Sequence, residues 1–204
     1  HVSSIVDSRS TISILSNIYL KCENNQIEIR STDMDISIKE FVSADSSKNG
    51  EATVNSRILT DIIRKTKKNT IIKVKNEGNR LIINSENSVF ELNALSADEF
   101  PKFTPLDQAN SFELTVEQIK KIFTKTKFAI SSEETRYYLN GIYFHTIKNG
   151  EKNNLIAVAT DGHRLAKTEL EINSSVLIEG IILPRKFILQ LDKILGDFEG
   201  KVKI

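Results

Sequence analysis

The 204 residues carry 28 Lys plus Arg against 27 Asp plus Glu, a formal charge of +1, so no overall field draws the chain to nucleic acid or membrane and any polyanion site must be a local face. The single cysteine, Cys22, excludes an internal disulfide, a CxxC motif and a zinc site of two or more thiolates, and fits a reducing compartment. With 39% hydrophobic and 27% charged residues the composition is that of a folded chain; apolar runs such as Leu155 to Ala159 fall far below the ~20 residues of a membrane span, and His1-Val2-Ser3-Ser4 starts no signal peptide, so the chain reads as soluble and cytoplasmic.

Taken in chain order, Cys22 stands beside Leu20 in a strand-like stretch and reads as a buried apolar residue, not a nucleophile. Asn24-Asn25 predicts a turn into a strand at Ile27 to Arg30, with another strand at Ile36 to Lys39; both alternate and are β-branched. After an Asn49-Gly50 turn, the spacing predicts a helix from Ser56 to Lys68 capped by Ser56. Strands at Ile71 to Lys75 and Arg80 to Ile83 flank the turn Glu77-Gly78-Asn79. Phe100 to Pro105 and the polar run Asp107 to Asn110 break both periodicities and predict a linker. Beyond it come a helix from Thr115 to Ile130 opened by the capping box Thr115-Val116-Glu117-Gln118, a strand ending at His145 and an Asn149-Gly150 turn. A last helix runs from Pro184 to Leu195, with proline in its first turn. Many hairpins and three helices make the class α+β.

The two halves repeat each other. Leu15 to Leu20 lines up with Leu139 to Phe144 at a shift of 124, Ser31-Thr32-Asp33-Met34-Asp35 with Ala159-Thr160-Asp161-Gly162-His163 at 128, and Val54 to Leu59 with Leu183 to Ile188 at 129. Three matches in order, drifting only by small insertions, predict tandem domains of like fold, over residues 1–109 and 110–204, each with its own core. Under the shift the counterpart of the Thr115 helix falls before residue 7, and Lys201 to Ile204 matches the strand at Ile71 to Lys75. The expectation is a chain cut inside a domain at both ends, the first unit lacking its opening helix and the second its last strands.

At about 100° per residue, Ile58, Leu59, Ile62 and Ile63 make one apolar stripe, with Arg57, Arg64 and Lys68 across from it. Phe187, Ile188, Leu191 and Leu195 make another, opposed by Lys186 and Lys193; Lys121 and Lys125 likewise oppose Val116, Ile119, Ile122 and Phe123, with Lys120 and Lys127 flanking. Arg57 pairs with Lys186 and Arg64 with Lys193 under the shift of 129, so a basic i, i+7 pair recurs in both copies. Such faces offer phosphate contacts without a base-reading code. Catalytic signals are thin: Asp33, Asp35, Asp161 and His163 suit a nuclease-like metal site, yet Thr-Asp pairs also bond to nearby backbone N–H groups, and no phosphate-binding or nucleophile-elbow motif is present.

Ala159-Thr160-Asp161-Gly162-His163-Arg164-Leu165-Ala166 resembles a signature of the bacterial replicative sliding clamps, the beta subunits of DNA polymerase III. Arg136-Tyr137-Tyr138-Leu139-Asn140-Gly141, Leu183-Pro184-Arg185-Lys186 and Leu95 to Pro101 resemble further motifs of that family, in its order. The resemblance implies a non-catalytic processivity factor without cofactor or metal: three similar domains per subunit, of which the third is absent here, and a head-to-tail homodimer ringed around double-stranded DNA with helices inside and sheets outside. These residues alone would stay monomeric. The implied DNA-facing residues are Arg9, Arg57, Tyr137 and Tyr138, to which the repeat adds Arg64, Lys68, Lys121, Lys125, Lys186 and Lys193; Glu133 departs from the uncharged polar residue frequent in the family. The implied pocket for peptides of the polymerase alpha subunit, the clamp loader and other partners uses Leu139, Thr160, Gly162, His163, Arg164 and Leu165. The alternative is a basic two-domain nucleic-acid-binding scaffold unrelated to clamps.

Overall fold

Paired asparagines make the first hairpin. Asn24 and Asn25 both take left-handed φ, 52° and 57°, the backbone whose twist matches that of the strands it joins, here β1 (Asn17–Glu23) and β2 (Gln26–Thr32). The computed structural model describes residues 1–6, 12–103, 111–133, 135–150, 152–172, 174, 176–196 and 198–204. They form two compact units, within residues 1–104 and 105–204.

In the first unit β3 (Ser37–Ser43), β4 (Gly50–Asn55), β5 (Ile72–Asn76), β6 (Arg80–Ser85) and β7 (Ser88–Leu95) complete an antiparallel sheet in the order β3-β2-β1-β4-β7-β6-β5. Helix α1 (Ser56–Lys65) lies on it, with Ile62 and Leu59 in a core of Ala52, Val54, Leu81, Ile83, Leu92 and Ala94. Alternation along β1 sends Leu20 to that core and Tyr19 to a second cluster with Ile14, Leu15 and Phe100. Desolvation by burial, then the bond from its hydroxyl to Glu51 Oε2 at 2.7 Å, pushes the Tyr19 phenol up to about 12.

The second unit holds β8 (Glu113–Thr115), β9 (Gly141–Asn149), β10 (Lys152–Thr160), β11 (Leu165–Ile172), β12 (Ile181–Pro184) and β13 (Lys201–Lys203), in sheets ordered β11-β10-β9-β12 and β13-β8. Helix α2 (Val116–Thr126) packs on β10 and β11, and α3 (Arg185–Ile194) on β9 and β12 and beside α2. Phe123, Leu114, Ile142, Leu155 and Ile188 centre the core. The four-strand order of this unit is that of β3-β2-β1-β4, and α1 and α3 have the same length and the same place after the fourth strand.

The matched Thr-Asp segments are one turn built twice. After β2, Thr32 Oγ1 donates to Ile36 O (2.9 Å) and accepts from Met34 N (3.0 Å), while Asp33 Oδ1 accepts from Asp35 N (3.1 Å) and Ile36 N (2.7 Å). After β10, Thr160 Oγ1 donates to Arg164 O (2.8 Å) and accepts from Gly162 N (3.1 Å), while Asp161 Oδ1 accepts from His163 N and Arg164 N (3.0 Å each). Met34 and Gly162 share a left-handed φ, 79° and 89°. The amides of His163 and Arg164, and then the Arg164 side chain, hold the Asp161 carboxyl down at about 2.

Several local expectations are corrected. Asn55, not Ser56, caps α1, its Oδ1 accepting from Ile58 N at 3.1 Å, while Ser56 is buried as the first helical residue. The helix stops at Lys65 because Thr66 turns extended, its amide and hydroxyl both donating to Ile62 O at 3.0 and 2.9 Å, which leaves Lys68 in the following connection. Ile58 and Ile63 of the predicted stripe are 52% and 45% exposed; α3 has α2 alongside, whereas among the described residues α1 has no neighbouring α-helix in its unit. Helix α2 ends at Thr126 in a 3-10 turn, Lys127–Ala129. Pro184 is the last residue of β12, paired with Gly141, and α3 starts at Arg185. Gly50 opens β4 without positive φ, because β3 and β4 are not neighbours and no tight turn joins them. His145 lies inside β9, and Cys22 is only half-buried. Phe100 and Phe103, expected in the linker, pack into the Tyr19 cluster; residues 104–110 lie outside the described residues.

Two outcomes follow. Phe123→Ala, which empties the centre of the second core, should cost about 3–5 kcal/mol in urea denaturation; a loss under ~1 kcal/mol would displace it from that role. In an NMR titration the Asp161 carboxyl should show its midpoint near 2. Its folded pKa is depressed, so the stabilisation it brings is complete above about pH 4 and lost as pH falls toward that midpoint. A midpoint at the ordinary 3.8 would mean that the two amide bonds do not persist in solution.

Candidate nucleic-acid interface and partner pocket

Each helix packs apolar residues on a sheet, Leu59 and Ile62 on α1, and leaves basic residues outside. On α1, Arg57 and Arg64 are exposed one above the other; on α2, Lys121 and Lys125 are exposed; on α3, Lys193 is exposed and Lys186 is half-buried with a partner of its own. Two flanking lysines serve the fold instead. Lys127 Nζ reaches Asp192 Oδ2 at 2.6 Å and Lys120 Nζ reaches Gly196 O at 3.0 Å, so both tie α2 to the α3 end of the unit. Lys68 is exposed but off the helix, and Arg9 lies outside the described residues.

Tyr137 and Tyr138 stand in a 3-10 turn, Tyr137–Leu139, just before β9, both exposed and edge-on to each other with centroids 5.6 Å apart. Glu133 pairs with Arg136 Nε at 3.0 Å. An acid at this position thus neutralises a neighbouring cation as well as adding its own charge. The turn is fixed at both ends, Ser131 N donating to Leu139 O at 3.1 Å and Arg185 N to Asn140 O at 2.9 Å.

Of the predicted pocket residues, Thr160, Gly162, His163, Arg164 and Leu165 are brought together by the second Thr-Asp turn and the start of β11. Leu165 is 65% exposed and Leu139 half-buried, so Leu165 is no core residue. A Cβ on Gly162 would have Arg136 Nη1 at 3.9 Å as its nearest neighbour, which places Arg136 beside the turn with open space above the glycine. Arg164 is bonded through Nε to Asp161 Oδ2 at 2.9 Å, and its guanidinium carbon lies 5.5 Å from the centre of the Phe128 ring. Sequence reasoning missed Arg136 and Phe128 as neighbours of this site. Arg136 sat in a recognised motif, but Phe128 follows the end of α2 with no local signal.

Asp33 and Asp161 are turn formers, which leaves the nuclease-like reading without a free carboxylate pair. Among the described residues no group of three or more His, Cys, Asp and Glu side chains could hold a metal ion, and no helix is long and apolar enough to cross a membrane.

Residues 1–104 match the family described as DNA polymerase III beta subunit, N-terminal domain, and residues 113–204 match its central domain. The beta sliding clamp of Caulobacter vibrioides (strain NA1000 / CB15N) is 38% identical over 198 residues, 96% of this chain and 53% of the relative. That of Pseudomonas aeruginosa is 33% identical over 205 residues, 100% of this chain and 55% of the relative. The structure of the DnaN sliding clamp (DNA polymerase III subunit beta) from Bartonella birtlesii bound to griselimycin gives a TM-score of 0.92 at 36% identity, and Caulobacter crescentus pol III beta gives 0.93 at 37%. This chain is covered completely in both comparisons, those chains to 55% and 56%. The chain spans about half the length of the curated relatives it matches. An unrelated basic scaffold has no support beside these similarities, and the α+β fold is that of the clamps. The chain belongs to the DNA polymerase III beta subunit family, the beta sliding clamps.

Proposed function

We propose that this chain supplies two domains of a sliding clamp, a non-catalytic ring that encircles double-stranded DNA and tethers the replicative polymerase to it. The observation that carries the reading is the exposed basic i, i+7 pair Arg57 and Arg64, matched in the second unit by Lys186 and Lys193, in a chain whose total charge is only +1. Clustered cations attract phosphates without selecting a base sequence, which suits a protein that must slide. Tethering converts repeated polymerase encounters into an intramolecular event at high effective concentration, so processivity rises with no reacting group on the clamp. By the same reading the exposed rings of Tyr137 and Tyr138, together with Arg9 and Lys68, are further DNA contacts. In this reading two full-length subunits close the ring, a polypeptide of these 204 residues alone stays monomeric, and the protein works in the cytoplasm.

The turn at Thr160 to Leu165, with Leu139, receives peptides of the polymerase alpha subunit, the clamp loader and other clamp-binding proteins. Leu165 and Leu139 offer apolar surface to an anchor side chain, and the space over Gly162 lets a peptide backbone approach closely.

The DNA reading is tested by replacing Arg57, Arg64 and Lys193 with Ser in the full-length subunit; half-buried Lys186 is spared so that folding is untouched. Retention on closed circular DNA should fall equally for unrelated sequences, and the loss should shrink as salt rises, since each lost phosphate contact lowers the salt slope by about 0.9. Parent-like retention at low salt would reduce these residues to an ordinary solvated surface. For the pocket, Leu165→Ala should weaken binding of an alpha-subunit peptide by roughly 1–3 kcal/mol while leaving DNA retention as it was. Unchanged peptide affinity in both Leu165→Ala and Leu139→Ala would move the pocket elsewhere.

A further inference from the structure

The duplicated Thr-Asp turn contains its own control. Met34 adopts at φ 79° the backbone that Gly162 adopts at 89°, so the turn itself tolerates a side chain there. The glycine of the second unit therefore serves the space above it, where the only neighbour a Cβ would meet within 4 Å among the described residues is Arg136 Nη1, at 3.9 Å. Likewise Ile36, at the place of Arg164, is buried, and the first turn closes with the same backbone bonds. Nothing in the turn requires an arginine. Yet Arg164 is held from two sides: Asp161 Oδ2 takes its Nε at 2.9 Å, and the Phe128 ring stands 5.5 Å from its guanidinium carbon. Asp161 cannot follow a moving guanidinium, because its other oxygen is committed to the amides of His163 and Arg164. Phe128 is 53% exposed, a large ring left in solvent although Ala129 beside it is fully buried. With Nε engaged, neither Nη nitrogen of Arg164 has a protein partner among the described residues.

Resting on the reading of this turn as the partner pocket, we infer that Phe128 is a positioning residue for Arg164: ring and carboxylate together hold the guanidinium so that its Nη nitrogens meet an acceptor oxygen of a peptide lying over Gly162, and only the second of the two duplicated turns is equipped to do so. The acceptor is a carboxylate or a backbone carbonyl, which share the geometry of an oxygen facing two N–H donors.

The test is a fluorescence-anisotropy titration of a labelled peptide covering the clamp-binding segment of the alpha subunit, on the full-length subunit and its variants. Phe128→Leu should weaken binding about two- to fivefold, the size of an exposed cation–π contact, with the melting temperature unchanged. Phe128→Tyr, which keeps the ring, should bind like the parent. In an Arg164→Ala background Phe128→Leu should cost nothing more, because the ring acts through the arginine. An equal loss in both backgrounds would show the ring touching the peptide on its own account, and no loss in either would leave it without a role; both overturn the inference. If Arg164→Ala and Leu165→Ala also leave affinity unchanged, the pocket reading has failed instead. Repeating the Arg164→Ala comparison at higher salt assigns the acceptor: a loss that shrinks marks a carboxylate, a constant loss marks a carbonyl, and either supports the inference.

Discussion

Among the described residues, all three α-helices begin on the residue after a strand ends: Ser56 follows β4, Val116 follows β8 and Arg185 follows β12. With no loop between them, the strand's in-and-out alternation sets the azimuth at which the helix starts, and with it the face that meets the sheet. Capping makes such junctions affordable, since the first helical N–H groups otherwise have no partner. Asn55 and Thr115 supply side-chain oxygens, and Thr115 with Gln118 closes a reciprocal box at 3.1 and 2.8 Å. Pro184 has no such oxygen, and the Arg185 amide instead donates to Asn140 O beside the paired Gly141. A Cβ at Gly141 would come 2.4 Å from Leu183 O, so the close approach of β9 and β12 at the head of α3 depends on glycine there.

From that fixed azimuth the charge distribution follows. Most apolar residues at helical spacing go to the sheet, Ile58 and Ile63 of α1 excepted, and Arg57 and Arg64 on α1, Lys121 and Lys125 on α2 and Lys193 on α3 face out. Lys120 of α2 and Lys127 just past its end are withdrawn from that surface by the carbonyl of Gly196 and by Asp192, ties that are exposed and individually weak. The local field is thus produced by geometry in a chain with almost no net charge.

Duplication separates what a turn needs for folding from what it carries for recognition. Threonine and aspartate recur because they satisfy the backbone in both units. The residues between and after them differ: methionine and a buried isoleucine in the first unit, glycine and an exposed arginine in the second. The same scaffold is closed in one copy and open in the other.

By itself the sequence determined the α+β class, the internal repeat, the capping box and the basic i, i+7 positions, because each rests on contacts between residues close along the chain or on an alternation readable from side-chain type. The family motifs were equally legible around Tyr137 and Gly162. Helix ends were not, since α1 stops where the Thr66 backbone turns extended, and Pro184 pairs in a strand whose partner lies some forty residues earlier. The packing of Phe100 and Phe103 on Tyr19, the exposure of Ile58 and Ile63, and the meeting of Phe128 with Arg164 and of Arg136 with Gly162 were decided only by the tertiary structure. Those outcomes depend on which surfaces the folded units cover and which residues distant in sequence they bring within a few ångströms, and no local pattern encodes either.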